Sequence, residues 1–137
     1  MKALIDENLP HALAVALNAL AKHDDNEVVH ALDLVPRKTR DVELFRAIVD
    51  AKVRVHISQD HHDRRPIERD AIASSGLIVF VLNKGWCSQP FYVKAARLVL
   101  WWPRIMEHAE AMKPPAIFRV PWKISGKGRF EQVKLKR

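Results

Sequence analysis

Six consecutive apolar residues, Leu77-Ile78-Val79-Phe80-Val81-Leu82, are the most restrictive stretch of this chain. Without polar alternation they suit a strand buried on both faces, which requires neighbouring strands and helices above and below. The rest of the sequence supplies both. Lys2 to Ile5 is a short apolar run halted by Asp6 and reads as a first strand. Asn8 is suited to cap a following helix, with Pro10 in its first turn and Leu9, Leu13, Ala16, Leu17 and Leu20 at helical spacing. Glu27 to His30 reads as a second strand, and a helix starts near Asp41 with Val42, Phe45, Ile48 and Val49 on one face. Val53-Arg54-Val55-His56-Ile57 alternates as a third strand, stopping at Ser58-Gln59-Asp60. Pro66 opens a helix through Ser75 that Gly76 closes. Ser88 or Gln89 begins a long last helix with Ala95, Leu98, Val99 and Trp102 inward, and Pro103 is expected to bend it or end its first half.

This alternation predicts an α/β fold whose central, mainly parallel sheet has about four strands joined by right-handed crossovers. At 137 residues the chain has the length of one domain. Lys113-Pro114-Pro115 marks the one convincing boundary, dividing residues 1–112 from a basic C-terminal extension or hairpin at 113–137. In that extension Ile117 to Val120 and Phe130 to Leu135 flank Ser125-Gly126-Lys127-Gly128. The net charge of +7 resides there, because Lys113, Arg119, Lys123, Lys127, Arg129, Lys134, Lys136 and Arg137 face a single acid, Glu131. Such a segment attracts polyanions, RNA or DNA foremost. The lone Cys87 allows no internal disulfide and excludes zinc sites built on several cysteines. No run approaches the ~20 apolar residues of a membrane span, and Asp6 and Glu7 interrupt any leader core. A cytoplasmic protein with no membrane partner is expected.

In a parallel sheet, ligands bind beyond the carboxyl ends of the strands. Asp6, Glu7 and Asn8 follow the first strand, Asp60 and Asp63 follow the third, and Asp41 and Glu43 open the helix after the second. Carboxylates gathered at one edge repel unless a cation neutralises them, and an oxygen-rich set suits Mg²⁺ or Mn²⁺. The matching chemistry is metal-assisted phosphodiester hydrolysis. Arg64 and Arg65 beside Asp60 suit a phosphate. Plainer roles compete, since Asp41 and Glu43 also favour a helix N-terminus and Asp63 a turn. His61-His62 invites a transition metal but lacks an obvious third ligand, and Trp86, Trp101, Trp102 and Trp122 suit core or interface anchors. A phosphoacceptor receiver domain would place acids after the first and third strands, but Lys84 and the tryptophan-rich carboxyl end do not fit it.

Leu4-Ile5-Asp6-Glu7-Asn8-Leu9 resembles the opening of the PIN-like proteins, relatives of the VapC-type ribonuclease toxins. Ile57-Ser58-Gln59-Asp60 resembles the family's strand ending in Asp, followed by Arg64-Arg65-Pro66-Ile67-Glu68-Arg69. Gly85-Trp86, Gln89-Pro90-Phe91, Ala95-Ala96-Arg97-Leu98, Trp101-Trp102-Pro103-Arg104-Ile105 and Val120-Pro121-Trp122-Lys123 resemble one subfamily found in toxin–antitoxin pairs. The resemblance implies a three-layer α/β/α fold, Mg²⁺ or Mn²⁺ held by acids, endonucleolytic RNA cleavage, a VapB-like antitoxin and a homodimer. Carried over, Asp6 and Asp60 are metal ligands, with Glu43, or Asp41 close behind, as the third catalytic acid. Asn8 positions a metal-bound water or phosphate, and Arg64, Arg65 and Lys123 hold the RNA backbone. His61-His62-Asp63 departs from the tighter family turn, so Asp63 is the fourth-ligand candidate on which a second metal depends. A PIN-like module that binds nucleic acid or a partner without cutting is the alternative.

Overall fold

The computed structural model describes residues 1–59, 72–124 and 130–135. Its elements are β1 (Lys2–Ile5), α1 (His11–Ala21), β2 (Glu27–His30), α2 (Asp41–Asp50), β3 (Val55–Gln59), β4 (Ile78–Leu82), α3 (Lys84–Cys87), α4 (Phe91–Ala111), β5 (Ala116–Val120) and β6 (Glu131–Val133). They build one six-stranded sheet in the order β2-β1-β3-β4-β5-β6. The first five strands are parallel and β6 is antiparallel to β5. The apolar run is the interior strand β4, no residue of which is more than 4% exposed. Each such side chain contributes about 1.5–3 kcal/mol on burial.

Strand alternation sorts the core into two layers. On one face Ala3, Ile5, Ile57, Phe80 and Phe118 pack with Leu13 and Leu17 of α1 and with Leu98, Trp101 and Ile105 of α4. On the other face Leu4, Val79, Val81 and Ile117 pack with Phe45 and Ile48 of α2 and with Ile72, in the helical residues 72–75. The result is the three-layer α/β/α arrangement that the alternation of strands and helices implies.

The expected arm continues the sheet. Ile78 to Leu82 pair in register with Ala116 to Val120, and the hairpin partner adds the pairs Ile117–Val133, Phe118–Gln132 and Arg119–Glu131. Counting four strands missed β5 because the basic residues around it mask an apolar strand in which only Arg119 is not fully buried. Nor can every crossover share one hand. α1 carries the chain toward β2 and α4 carries it toward β5, in opposite directions across the same face. These two connections therefore have opposite hands, and the right-handed rule holds for at most one of them.

Several local expectations shift. α4 runs unbroken from Phe91 to Ala111 with Pro103 inside it. Pro103 is exposed, so the carbonyl of Val99 that loses its donor lies on the solvent side, where water can satisfy it. Val99, at 39% exposure, faces away from the core instead of inward. Val42, Val49, Ala16 and Leu20 are likewise exposed, leaving Phe45 and Ile48, and Leu13, Ala14, Leu17 and Ala21, as the packed stripes. α1 starts at His11 after Pro10, with no side-chain cap, so Asn8 is released for another task.

Candidate functional site

β1 is followed by α1 on one face and β3 by the helical residues 72–75 on the opposite one, so the sheet has its topological switch point at the carboxyl ends of these neighbours. Asp6 stands directly beyond β1, with its backbone N–H donating to Ile57 O at 2.9 Å. Its carboxylate, 16% exposed, accepts from His56 Nε2 at 3.1 Å through Oδ1 and from the Asn8 backbone N–H at 3.4 Å through Oδ2. A carboxylate only accepts, so Nε2 of His56 carries a proton. His56 projects from the middle of β3 on the α2 face, with Phe45 edge-on at 6.1 Å.

Asn8 bridges the two strands. Its Nδ2 donates to Gln59 O and its Oδ1 accepts from Gln59 N, both at 3.4 Å, while Gln59 Nε2 donates to Asn8 O at the same distance. The side-chain amide thus imitates one more peptide unit of the β1–β3 ladder. The bonds are long and individually weak, but three of them fix the carboxyl end of β3 against the loop carrying Asp6. On the other side of Gln59, Oε1 accepts from the ammonium of Lys94, a buried residue near the start of α4.

The loop after β1 is also pinned from β2. His30, 1% exposed, engages Leu9 O through Nε2 at 2.8 Å and accepts from Leu32 N at Nδ1, which sets its proton on Nε2. Asp33 accepts from His30 N at 3.0 Å and pairs with His11 Nε2 at 2.7 Å. The hydrogen bond from His11, then that from the His30 backbone, holds the Asp33 carboxyl below the usual carboxylate range.

Asp41 and Glu43 sit in the first turn of α2, which starts from the carboxyl edge; Asp41 is half-buried and Glu43 exposed. Among the described residues no group of three His, Cys, Asp or Glu is gathered closely enough to hold a metal ion. Asp60, Asp63, Arg64 and Arg65 lie outside the described residues, Asp60 being the next residue in the chain after Gln59. Lys123 is exposed just past β5 on the same edge. There Trp86 donates through Nε1 to Val120 O at 3.0 Å, Trp122 packs against Trp86 at right angles, and Arg97 lies 4.5 Å above the Trp122 ring. The Asp6 carboxylate is a hard oxygen donor of the kind Mg²⁺ or Mn²⁺ takes, whereas the side-chain oxygens of Asn8 and Gln59 already accept from Gln59 N and from the Lys94 ammonium.

Sequence reasoning missed His56, Gln59 and Lys94. Lys94 had a signal, since it shares the spacing of Leu98, Trp101 and Ile105 and so occupies an inward position of its helix. His56 had a weaker one, a polar residue alternating within a strand.

The family described as PIN like domain matches residues 1–84, which contain β1 to β4 and the switch point. No curated protein and no solved structure matches the chain significantly.

Proposed function

The chain belongs to the PIN-like domain family, whose fold is of nuclease type, and from that premise we propose that it is a metal-dependent endoribonuclease. The observation that supports this most directly is the placement of Asp6, a half-buried carboxylate held by His56 and the Asn8 backbone at the switch point of a parallel sheet. Asp6 and Asp60 would hold Mg²⁺ or Mn²⁺, with Glu43 or Asp41 as the third acid and Asp63 as a possible fourth ligand. When bound, the ion lowers the pKa of water and neutralises charge developing on the phosphoryl oxygens. The chain's own groups do the positioning. His56 keeps the Asp6 carboxylate turned toward the edge, Asn8 and Gln59 hold the two strand ends at fixed separation, and Lys123, Arg64 and Arg65 hold the RNA backbone.

On the finer reading the protein is the toxin of a VapBC-like pair. The resemblance of its tryptophan motifs to a toxin subfamily supports that, and a VapB-like antitoxin would act by presenting a basic side chain to the acids or by covering the groove. Homodimer formation is part of the same proposal, and the exposed Tyr92 and Leu100 of α4 would suit it. No helix among the described residues is long and apolar enough to cross a membrane.

A second reading, a PIN-like module that binds without cutting, draws on the single carboxylate at the described switch point. One experiment separates the two. Purified protein is incubated with a mixed tRNA and rRNA pool in Mg²⁺ or Mn²⁺ against EDTA, beside Asp60→Asn. Metal-dependent fragments that vanish in the variant support the nuclease. Full activity in folded Asp60→Asn sinks the assignment of that residue, and absence of cleavage by folded wild-type protein favours the binding module.

A further inference from the structure

The inward stripe of α4 contains one charge. Lys94 lies one turn before Leu98 on the same face and is 9% exposed. Its ammonium donates to Gln59 Oε1, while the ion pairs among the described residues are His11–Asp33 and His56–Asp6, so no described carboxylate answers it. An amide oxygen carries only a fraction of a charge. Among the described residues the ammonium is thus met by partial charge alone, and an anion arriving at that point would add a full one.

The place is specific. Gln59 is the last residue of β3, and its Nε2 and its backbone are both occupied by Asn8, so its free oxygen faces Lys94 and holds the ammonium at the switch point. The lysine stem is buried beneath, which lets a point charge reach the edge while the rest of the side chain stays in the core. Further basic residues continue along the same edge: Lys84 beyond β4, Arg97 one turn after Lys94, and Lys123 beyond β5.

We propose that Lys94 is the anion-binding residue of the switch-point site, contacting a backbone phosphate of single-stranded RNA that lies across the carboxyl ends of β1 and β3 and continues toward β5. The inference rests on the ribonuclease reading and deepens it. A bracing role alone, in which Lys94 only steadies Gln59, makes different predictions.

The test measures binding of a short fluorescent oligoribonucleotide of mixed sequence in EDTA over a series of KCl concentrations, for wild type, Lys94→Met and Lys94→Arg. Lys94→Met is expected to bind roughly tenfold more weakly, the loss of one charge-assisted contact, with the slope of log K against log salt shallower by about 0.7, the share of one phosphate. Lys94→Arg is expected to retain the slope. Melting temperature should stay level or rise in Lys94→Met, since a buried charge has gone. A lower melting temperature with unchanged affinity and slope is the signature of a brace and overturns the proposal, as does wild-type binding with wild-type melting. Should Lys94→Met not fold, Gln59→Glu sets a carboxylate against the ammonium, and undiminished RNA binding there overturns the proposal as well. Cleavage is scored separately with Mg²⁺. Wild type that cleaves while Lys94→Met keeps the full salt slope refutes the phosphate contact alone; wild type that never cleaves while the slope falls refutes the nuclease reading and leaves the contact standing.

Discussion

Replacing His56 with leucine should separate activity from stability. The imidazole donates to Asp6 Oδ1 at 3.1 Å, with the two side chains 6% and 16% exposed. A hydrogen bond to a charged acceptor contributes about 1.5–3 kcal/mol, and residual water at Asp6 puts this one near the lower end. Leucine restores part of that loss. It fills similar space against Phe45 and removes Nδ1, a buried atom without a hydrogen-bond partner among the described residues. The net cost to folding should be about 1 kcal/mol or less, a shift of only a few degrees in melting temperature. On the proposed nuclease reading, with Asp6 as a metal ligand, catalysis should suffer more, because partners that orient a metal ligand typically alter metal affinity or activity by about 10–100-fold. The assay is a Mg²⁺ titration of RNA cleavage beside urea unfolding of the same preparations. A rightward shift in Mg²⁺ midpoint with a small change in unfolding midpoint is expected. A variant that is clearly destabilised yet cleaves with wild-type Mg²⁺ dependence would refute the claim that His56 orients Asp6.

Other perturbations test the frame around the site. A Cβ at Gly85 would lie 2.9 Å from Trp122 Cβ; Gly85→Ala should therefore lose about 1–3 kcal/mol to overpacking against about 1 kcal/mol gained in helix propensity. A melting temperature at or above wild type would show that the strand-end clamp yields freely. Asp33 has its pKa lowered on folding, so its contribution is complete above the ordinary carboxyl range and fades as pH falls through the depressed value. Urea midpoints should decline less steeply on acidification in Asp33→Asn than in wild type. Burial lowers the pKa of His108, whose ring packs on Phe118 and Phe130 at 4.5 and 4.9 Å. Stability from that site is whole above the ordinary imidazole value of about 6.5 and diminishes as pH drops through the lowered one. His108→Phe should flatten this part of the stability profile, and an unchanged pH dependence would contradict the burial argument.

What could be read in advance followed from periodicity. Leu77 to Leu82 announced a doubly covered strand, and the alternation of short runs with amphipathic stretches announced three layers, because both signals are local. The carboxyl edge was legible as the candidate site once the order of elements was known, and Asp6 stands there. Position within the site was less legible. Asn8 has the composition of a helix cap, and only the distance between β1 and β3 in space turns it into a bridge to Gln59. The spacing of Lys94 with Leu98, Trp101 and Ile105 marks it as inward, but Gln59 is far away in the chain and the sequence does not pair the two. β5 was hidden by its setting, since a short apolar run among lysines looks like an arm until β4 is found to need a second neighbour.

That need has a practical side. β4 is apolar on both faces and hydrogen-bonded on both edges, to β3 and to β5. A chain shortened after residue 112 would leave one edge of β4 as a bare row of amide and carbonyl groups flanked by exposed valine, isoleucine and phenylalanine, a ready template for another copy of itself. By supplying β5, the segment beyond that point is what covers this edge of β4.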